Sequence, residues 1–175
     1  MPGFEARLMT LLAKIEATYA VDPVPTGGAN AIMAKNIRFR PMEGKDVSRD
    51  IERPYLGAQQ QFPTGLHASI TALVGNSAVG TAPAWGVLAR ACGLAQVLSA
   101  AVSATYNPIS ENMESATLYF YGEDKLFKMR GTRGGATLKL NADQLPVIEW
   151  TMMGLWDQPT DAATAVPTFT PWNEP

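Results

Sequence analysis

The chain has 175 residues, 46% hydrophobic and 17% charged, with a formal net charge of −2. That length suits one domain with a core of its own, and the charge balance offers no overall Lys/Arg surplus for gripping nucleic acid. Cys92 and His67 are the sole members of their types, which excludes an intrachain disulfide and a cysteine-built zinc site.

From the N-terminus, Phe4, Leu8, Leu11, Leu12 and Ile15 fall at three- and four-residue steps. The spacing suits an amphipathic helix, and the window is short enough to permit an extended arm. Glu5, Arg7, Lys14 and Glu16 interrupt the apolar run, so neither a signal peptide nor a membrane span is expected. "VDPVPTGGAN" (21–30) is loop chemistry and closes an N-terminal segment, 1–30. "IRFRP" (37–41) alternates as a strand, and "LHASITALV" (66–74) sets Leu66, Ala68, Ile70 and Ala72 on one face with His67, Ser69 and Thr71 on the other. Between them a long connection is expected over 43–64.

A helix is expected over 82–92, with Thr81 as its cap, Pro83 in its first turn and Gly93 as its stop. Trp85, Leu88 and Cys92 share the face that would pack on a sheet. "SATLYFY" and "KLFKMRG" then flank Gly122-Glu123-Asp124 as a hairpin, followed by "ATLKL" (136–140) and "VIEWTMMGLW" (147–156), with Gly134-Gly135 separating strands. The body, 31–157, reads as mainly β with one flanking helix, and the Pro/Thr-rich residues 158–175 as an extended arm.

Candidate chemistry is sparse. His67 lacks an adjacent nucleophile and orienting carboxylate in sequence, and Cys92 sits on a buried-looking face, so both read as structural. "GTRGG" (131–135) lacks P-loop spacing and reads as a hairpin turn. Glu43, Lys45, Asp46, Arg49, Asp50, Glu52 and Arg53 place seven charges in eleven positions. Asp46, Asp50 and Glu52 could face a divalent cation, but the interleaved bases argue against a metal, and no cofactor motif is present. Mixed charge beside Tyr55, Leu56 and Phe62 instead suits a contact between protein subunits, a solvated loop being the plain alternative.

In order along the chain, "LLAKIEATYAVDPVPTGGANAI", "MEGKDVSRDIERPYLGA", "GTAPAWGVLARACG", "ESATLYFYGEDKLFKMRGTRG" and "GLWDQPTDA" resemble the tail tube (major tail) proteins of long-tailed bacteriophages. The resemblance runs from about Leu11 to Ala162. It implies a β-sandwich or open barrel similar to the haemolysin-coregulated protein, assembling as hexameric rings that stack into a hollow tube. The implied partners are the chain itself, tape-measure, terminator and tail-tip proteins, with double-stranded DNA passing through the lumen without specific binding. The implied location is the virion tail. By the same resemblance the helix packs outside the sheet and the 43–64 excursion reaches a neighbouring subunit. Relatives often carry a second domain after the segment similar to "GLWDQPTDA", and their frequent glycine at the position of Ala20 is missing here.

Four rivals remain, one of them a secreted tube subunit of a type VI machine, against which stands the closer match of the ordered segments to phage tails. A terminator or joining ring would close without stacking. A small β-sandwich binding module would use aromatics such as Tyr55 and Trp172 on sugars. A hydrolase would need His67 with Asp46 or Asp50.

Overall fold

A computed structural model describes residues 9–54, 56–74, 82–122, 124–142 and 144–169. Phe4, Leu8, Tyr55, Thr81, Glu123 and Trp172, each given a part in the sequence reading, lie outside the described residues.

The first described element is a strand, not a helix: β1 spans Met9–Ile15. Its Leu11, Leu12 and Ala13 are all buried, because one face of the strand meets each of two apolar clusters and a helical stripe is not needed to hide them. A single turn of helix, α1 (Gly27–Asn30), leads to β2 (Ala31–Ile32). The next two strands are far longer than the sequence patterns that announced them: β3 covers Ala34–Ser48 and β4 Gln61–Val74. Helix α2 is confined to Gly86–Ala91, and Pro83 precedes it, its carbonyl accepting the Gly86 N–H in a preceding turn. At its end the Gly93 N–H donates to the Arg90 carbonyl. A small hairpin, β5 (Leu94–Ser99) and β6 (Ser103–Pro108), follows, then β7 (Ala116–Gly122), β8 (Lys125–Lys139), β9 (Val147–Trp156) and the two-residue β10 (Thr160–Asp161).

The main sheet is antiparallel and runs β2-β1-β7-β8-β9-β4-β3, with β10 added to β8; β5 and β6 form a separate two-stranded sheet. The fold is therefore mainly β with short helices, and the sheet is not closed. It is strongly curled all the same. Phe39 on β3 stacks 5.5 Å from Phe120 on β7 and lies 5.1 Å from Phe127 on β8, although β4 and β9 stand between β3 and β8 in the sheet order. Inside the curl lie Ala68, Ile70, Ala72 and Val74 of β4 with Trp150 and Met152 of β9. Their alternation carries the period-two reading of β4, except that Leu66 is exposed, being beyond the part of the strand that covers the core.

Helix α2 packs on the core-facing side of the sheet, against β1, β7 and β8. Leu88 is 1% exposed, Trp85 lies 5.9 Å from Trp150, and the Cys92 thiol points at the Met152 sulfur. Burial pushes the Cys92 thiol up to about 11, so it stays protonated and behaves as an apolar side chain. The β5–β6 hairpin caps the helix, with Tyr106 5.1 Å from Trp85 and hydrogen-bonded to Gln96.

"GTRGG" is neither a cradle nor a turn. It lies within continuous β8, where the ladder to β9 shifts register between Arg130 and Arg133. Gly131 has φ +59, and a Cβ there would come within 2.8 Å of the Tyr19 ring. At Gly134 a Cβ would sit 2.2 Å from the Thr151 carbonyl oxygen, so β8 and β9 approach as closely as they do because a side chain is missing. Gly134 and Gly135 therefore do not divide two strands.

The Gly131 N–H donates to Glu16, a residue 6% exposed just past β1. Burial alone pushes this carboxyl's pKa up. Hydrogen bonds from Ser115 and Thr117 hydroxyls and from the Gly131 and Ala20 N–H groups outweigh it and hold the carboxyl below its ordinary value. Asp22 is held low in the same way, burial again opposing, by Tyr119, the Val24 N–H and Lys128.

Because the folded pKa of Glu16 lies below its unfolded value, the unfolded chain binds more protons at acid pH. Its stabilisation is present above about pH 4.5 and is lost as pH falls through the lower folded value. Glu16→Gln is expected to cost about 2 kcal/mol at neutral pH and to flatten the acid limb. Urea unfolding between pH 3 and pH 7 measures both; an unchanged acid limb would contradict the assignment.

Candidate assembly interface

The expected 43–64 loop is largely strand. Ser48 pairs with Gln61, Val47 with Phe62, Asp46 with Pro63, Lys45 with Thr64 and Glu43 with His67. Only the residues between Ser48 and Gln61 form the turn. The sequence reading missed this because Gly44, Pro63 and Gly65 interrupt the apolar alternation and charges fill both faces. The ladder tolerates them through register shifts, with Asn36 and Met42 in left-handed conformations at two of these irregular places.

These residues form an arm whose two faces are both open. Gln61 to Leu66 are exposed without exception, and Met42, Val47, Ile51, Leu56, Phe62 and Leu66 are apolar side chains left in solvent. A two-stranded ribbon with no third strand and no packed face is marginal by itself in water. β3, a strand of 15 residues, is also the edge of the sheet among the described residues.

The tip is nonetheless ordered by its own side chains. The Gln59 carboxamide clasps Ile51, accepting its N–H at 3.0 Å and donating to its carbonyl at 3.1 Å. The Arg49 guanidinium lies 5.6 Å above the Phe62 ring. Leu56, at the apex, is fully exposed. Lower on the arm, Glu43 accepts from the Ser69 hydroxyl, and Arg40 lies 3.4 Å from it. The Ser69 hydrogen bond, helped by Arg40, holds the Glu43 carboxyl below its ordinary value.

The structure thus separates the predicted contact residues. Glu43, Lys45 and Asp46 lie along β3, and Arg49, Asp50, Glu52, Arg53 and Leu56 lie at the tip. Lys45, Asp46, Asp50 and Glu52 make no ion pair among the described residues, which leaves both signs of charge available along the arm. Trp85, Leu88 and Cys92 are remote from it, in the core. Sequence reasoning missed Gln59, whose role depends on a tip geometry that spacing does not reveal.

The arrangement around His67 does not suit hydrolysis. Its Nδ1 faces the Gly65 carbonyl at 2.8 Å, and its Nε2 is 3.9 Å from Glu43. The nearby Ser69 hydroxyl donates to Glu43 and not to the imidazole, so a nucleophile and its base are not paired. Among the described residues no cluster of three or more His, Cys, Asp or Glu side chains could hold a metal ion. No helix among them is long and apolar enough to cross a membrane.

The overall fold has a solved counterpart. No family model matches the chain, and no curated protein does. Among solved structures, the anti-feeding prophage cap, described as the AFP tube terminating cap, is similar with a TM-score of 0.53 and 9% identity over 93% of both chains. The PVC sheath–tube complex of an extracellular contractile injection system, in its extended state, gives a TM-score of 0.49 and 11% identity over 86% of each chain. The tail of an empty GTA particle gives a TM-score of 0.44 and 13% identity over 87% of this chain and 96% of that one. The chain shares its fold with the tube-terminating cap.

Gln59→Ala is expected to loosen the tip alone. Amide exchange at Ile51 should accelerate at least about tenfold while global stability shifts by less than about 0.5 kcal/mol. Unchanged exchange would show that the clasp does not order the tip.

Proposed function

We propose that this chain is a structural subunit of a phage-like tail or injection machine, without enzymatic activity, that polymerises as stacked hexameric rings into a hollow tube conducting DNA. The single observation that carries this is the uncovered arm: long, ordered at its tip, apolar and mixed in charge, it has the character of a surface that is completed by another copy. A head-to-tail contact of this kind does not close on itself, so repeating it gives a filament. The shared fold with a tube-terminating cap supports the same class of role. The tape-measure, terminator and tail-tip proteins are the further partners this reading implies, and the tail of the particle is its location.

In this reading Glu43, Lys45, Asp46, Arg49, Asp50, Glu52, Arg53, Tyr55 and Leu56 fix the register between copies. Charge sets register and rejects misaligned partners, while Leu56 and its apolar neighbours provide buried area. The second reading, a terminator or cap that closes a tube without extending it, is favoured by the identity of the similar cap. The two differ in whether rings stack.

Expression of the chain alone, followed by negative-stain electron microscopy and light scattering across a concentration series, tests the proposal. Stacked rings or tubes are the expected result; closed rings that never stack would support the terminator reading, and a persistent monomer would count against both. Arg49→Glu with Arg53→Glu is expected to abolish stacking while leaving a folded ring or monomer. Tubes of normal length from this variant would remove the arm from the assembly mechanism.

A further inference from the structure

On the side of the sheet away from the core, β3, β4, β9 and β8 present a polar face with a shallow groove of about 430 Å³. Arg38, Thr71, Thr151 and Gly135 stand in one row across the four strands, and Arg40, Ser69 and Met153 belong to the next. Asn36 and Lys139 complete the polar lining. The lining holds three cations, Arg38, Arg40 and Lys139, against one carboxylate, Glu149. Lys139 is committed to Glu149 at 2.8 Å and Arg40 leans toward Glu43, whereas Arg38 has no carboxylate partner among the described residues. A chain of net charge −2 thus exposes a locally basic strip. The overall charge conceals this, because it sums the whole chain and includes carboxylates that lie away from the strip, such as Asp50 and Glu52 at the tip of the arm.

We propose that this groove makes a weak, sequence-independent contact with the phosphate backbone of double-stranded DNA, an inference that rests on the tube reading above. The chemistry favours a phosphate backbone over an acidic peptide. Arg38 and Arg40 lie two residues apart on β3, roughly 6.6 Å along the strand, and their forked guanidinium groups suit phosphate oxygens. Asn36, Thr71 and Thr151 supply neutral donors of the kind that accompany Arg at phosphates. A peptide laid along a strand needs apolar pockets for its alternate side chains, and Leu73 is the sole aliphatic side chain in this lining. The contact is weak by construction, with few cations per copy, so DNA could slide over it. In a tube it would repeat on every subunit.

The test is fluorescence anisotropy of a labelled duplex of about 20 base pairs with the full chain, between about 50 and 200 mM salt. Binding should be salt-dependent. Arg38→Gln with Arg40→Gln should weaken it at least about tenfold at the lower salt and reduce the salt slope by about 2. Arg38→Lys with Arg40→Lys should stay within about threefold of the wild type, since point charge suffices for much of the contact. Lys125→Gln, a remote exposed control, should have no effect. An absence of duplex binding at the lower salt, equal binding by the Gln double variant, or more effective displacement by polyglutamate than by unlabelled duplex would each overturn the proposal. Electron microscopy of the same samples separates the two claims: tubes without groove-dependent binding overturn the groove alone, and groove-dependent binding without tubes overturns the tube reading alone.

Discussion

The carboxylate of Glu16 receives four hydrogen bonds: from the Ala20 N–H at 2.8 Å, the Ser115 hydroxyl at 2.5 Å, the Thr117 hydroxyl at 2.6 Å and the Gly131 N–H at 2.7 Å. A buried carboxylate without such partners would cost several kcal/mol, so this charge is tolerable only where β1, β7 and β8 meet in this one register. Around it the loop after β1 is drawn onto the sheet. Tyr19 covers Gly131, with Arg133 5.4 Å from its ring, and Asp22 joins Tyr119 to Lys128. Arg130 pairs with Asp157 and donates to the Ala20 carbonyl, which fixes the start of the C-terminal segment to the same place. That segment then lays Ala162 and Ala165 over Leu12, Tyr119, Tyr121 and Leu126. Strand β7 is in consequence buried on both faces.

This clamp gives the molecule a rigid half and an open half. β1, β7 and the first half of β8, Lys125–Thr132, are covered on one side by the core with α2 and on the other by the loop and the C-terminal segment. β3 and β4 leave that shelter and continue as a ribbon with neither face covered. Rigid support at the root of an arm matters for assembly, since a partner that docks on the ribbon pays little to order what carries it. The ordered tip works in the same direction. An open sheet edge along β3 is an aggregation hazard in a monomer, one that the proposed contact with another copy would remove.

Much of the strand architecture was legible because alternation survives wherever one face is buried. β4 from Ala68 to Val74 is of this kind, whereas β7, buried on both faces, was legible as a short apolar and aromatic run bounded by turn residues. Legibility failed where a different constraint governed the residues. Residues 9–15 show helix-like spacing because β1 is buried on both faces, which erases period two. The arm hid its strands because none of the described residues covers it, so no apolar alternation is required there. The glycines of "GTRGG" look like turn punctuation but answer to Tyr19 and Thr151, contacts distant in sequence. Of the five segments that carry the resemblance to tail tube proteins, the first, fourth and fifth converge on Glu16, Asp22 and the Arg130–Asp157 pair. That part of the resemblance speaks to the scaffold. The basic strip of β3 was half visible in "IRFRP", whose Arg38 and Arg40 point away from the core, but its partner Lys139 is joined to it by sheet register alone.

The central claim is that the arm is left open in the single chain in order to be covered by another copy. Thiol labelling at the apex tests it directly, because Cys92 is the sole native cysteine and lies partly buried in the core. Leu56→Cys should react rapidly with a maleimide probe in unassembled protein and become at least about tenfold slower in assembled particles, with labelling at Cys92 slow in both. Equal reactivity of the apex cysteine before and after assembly would contradict the account.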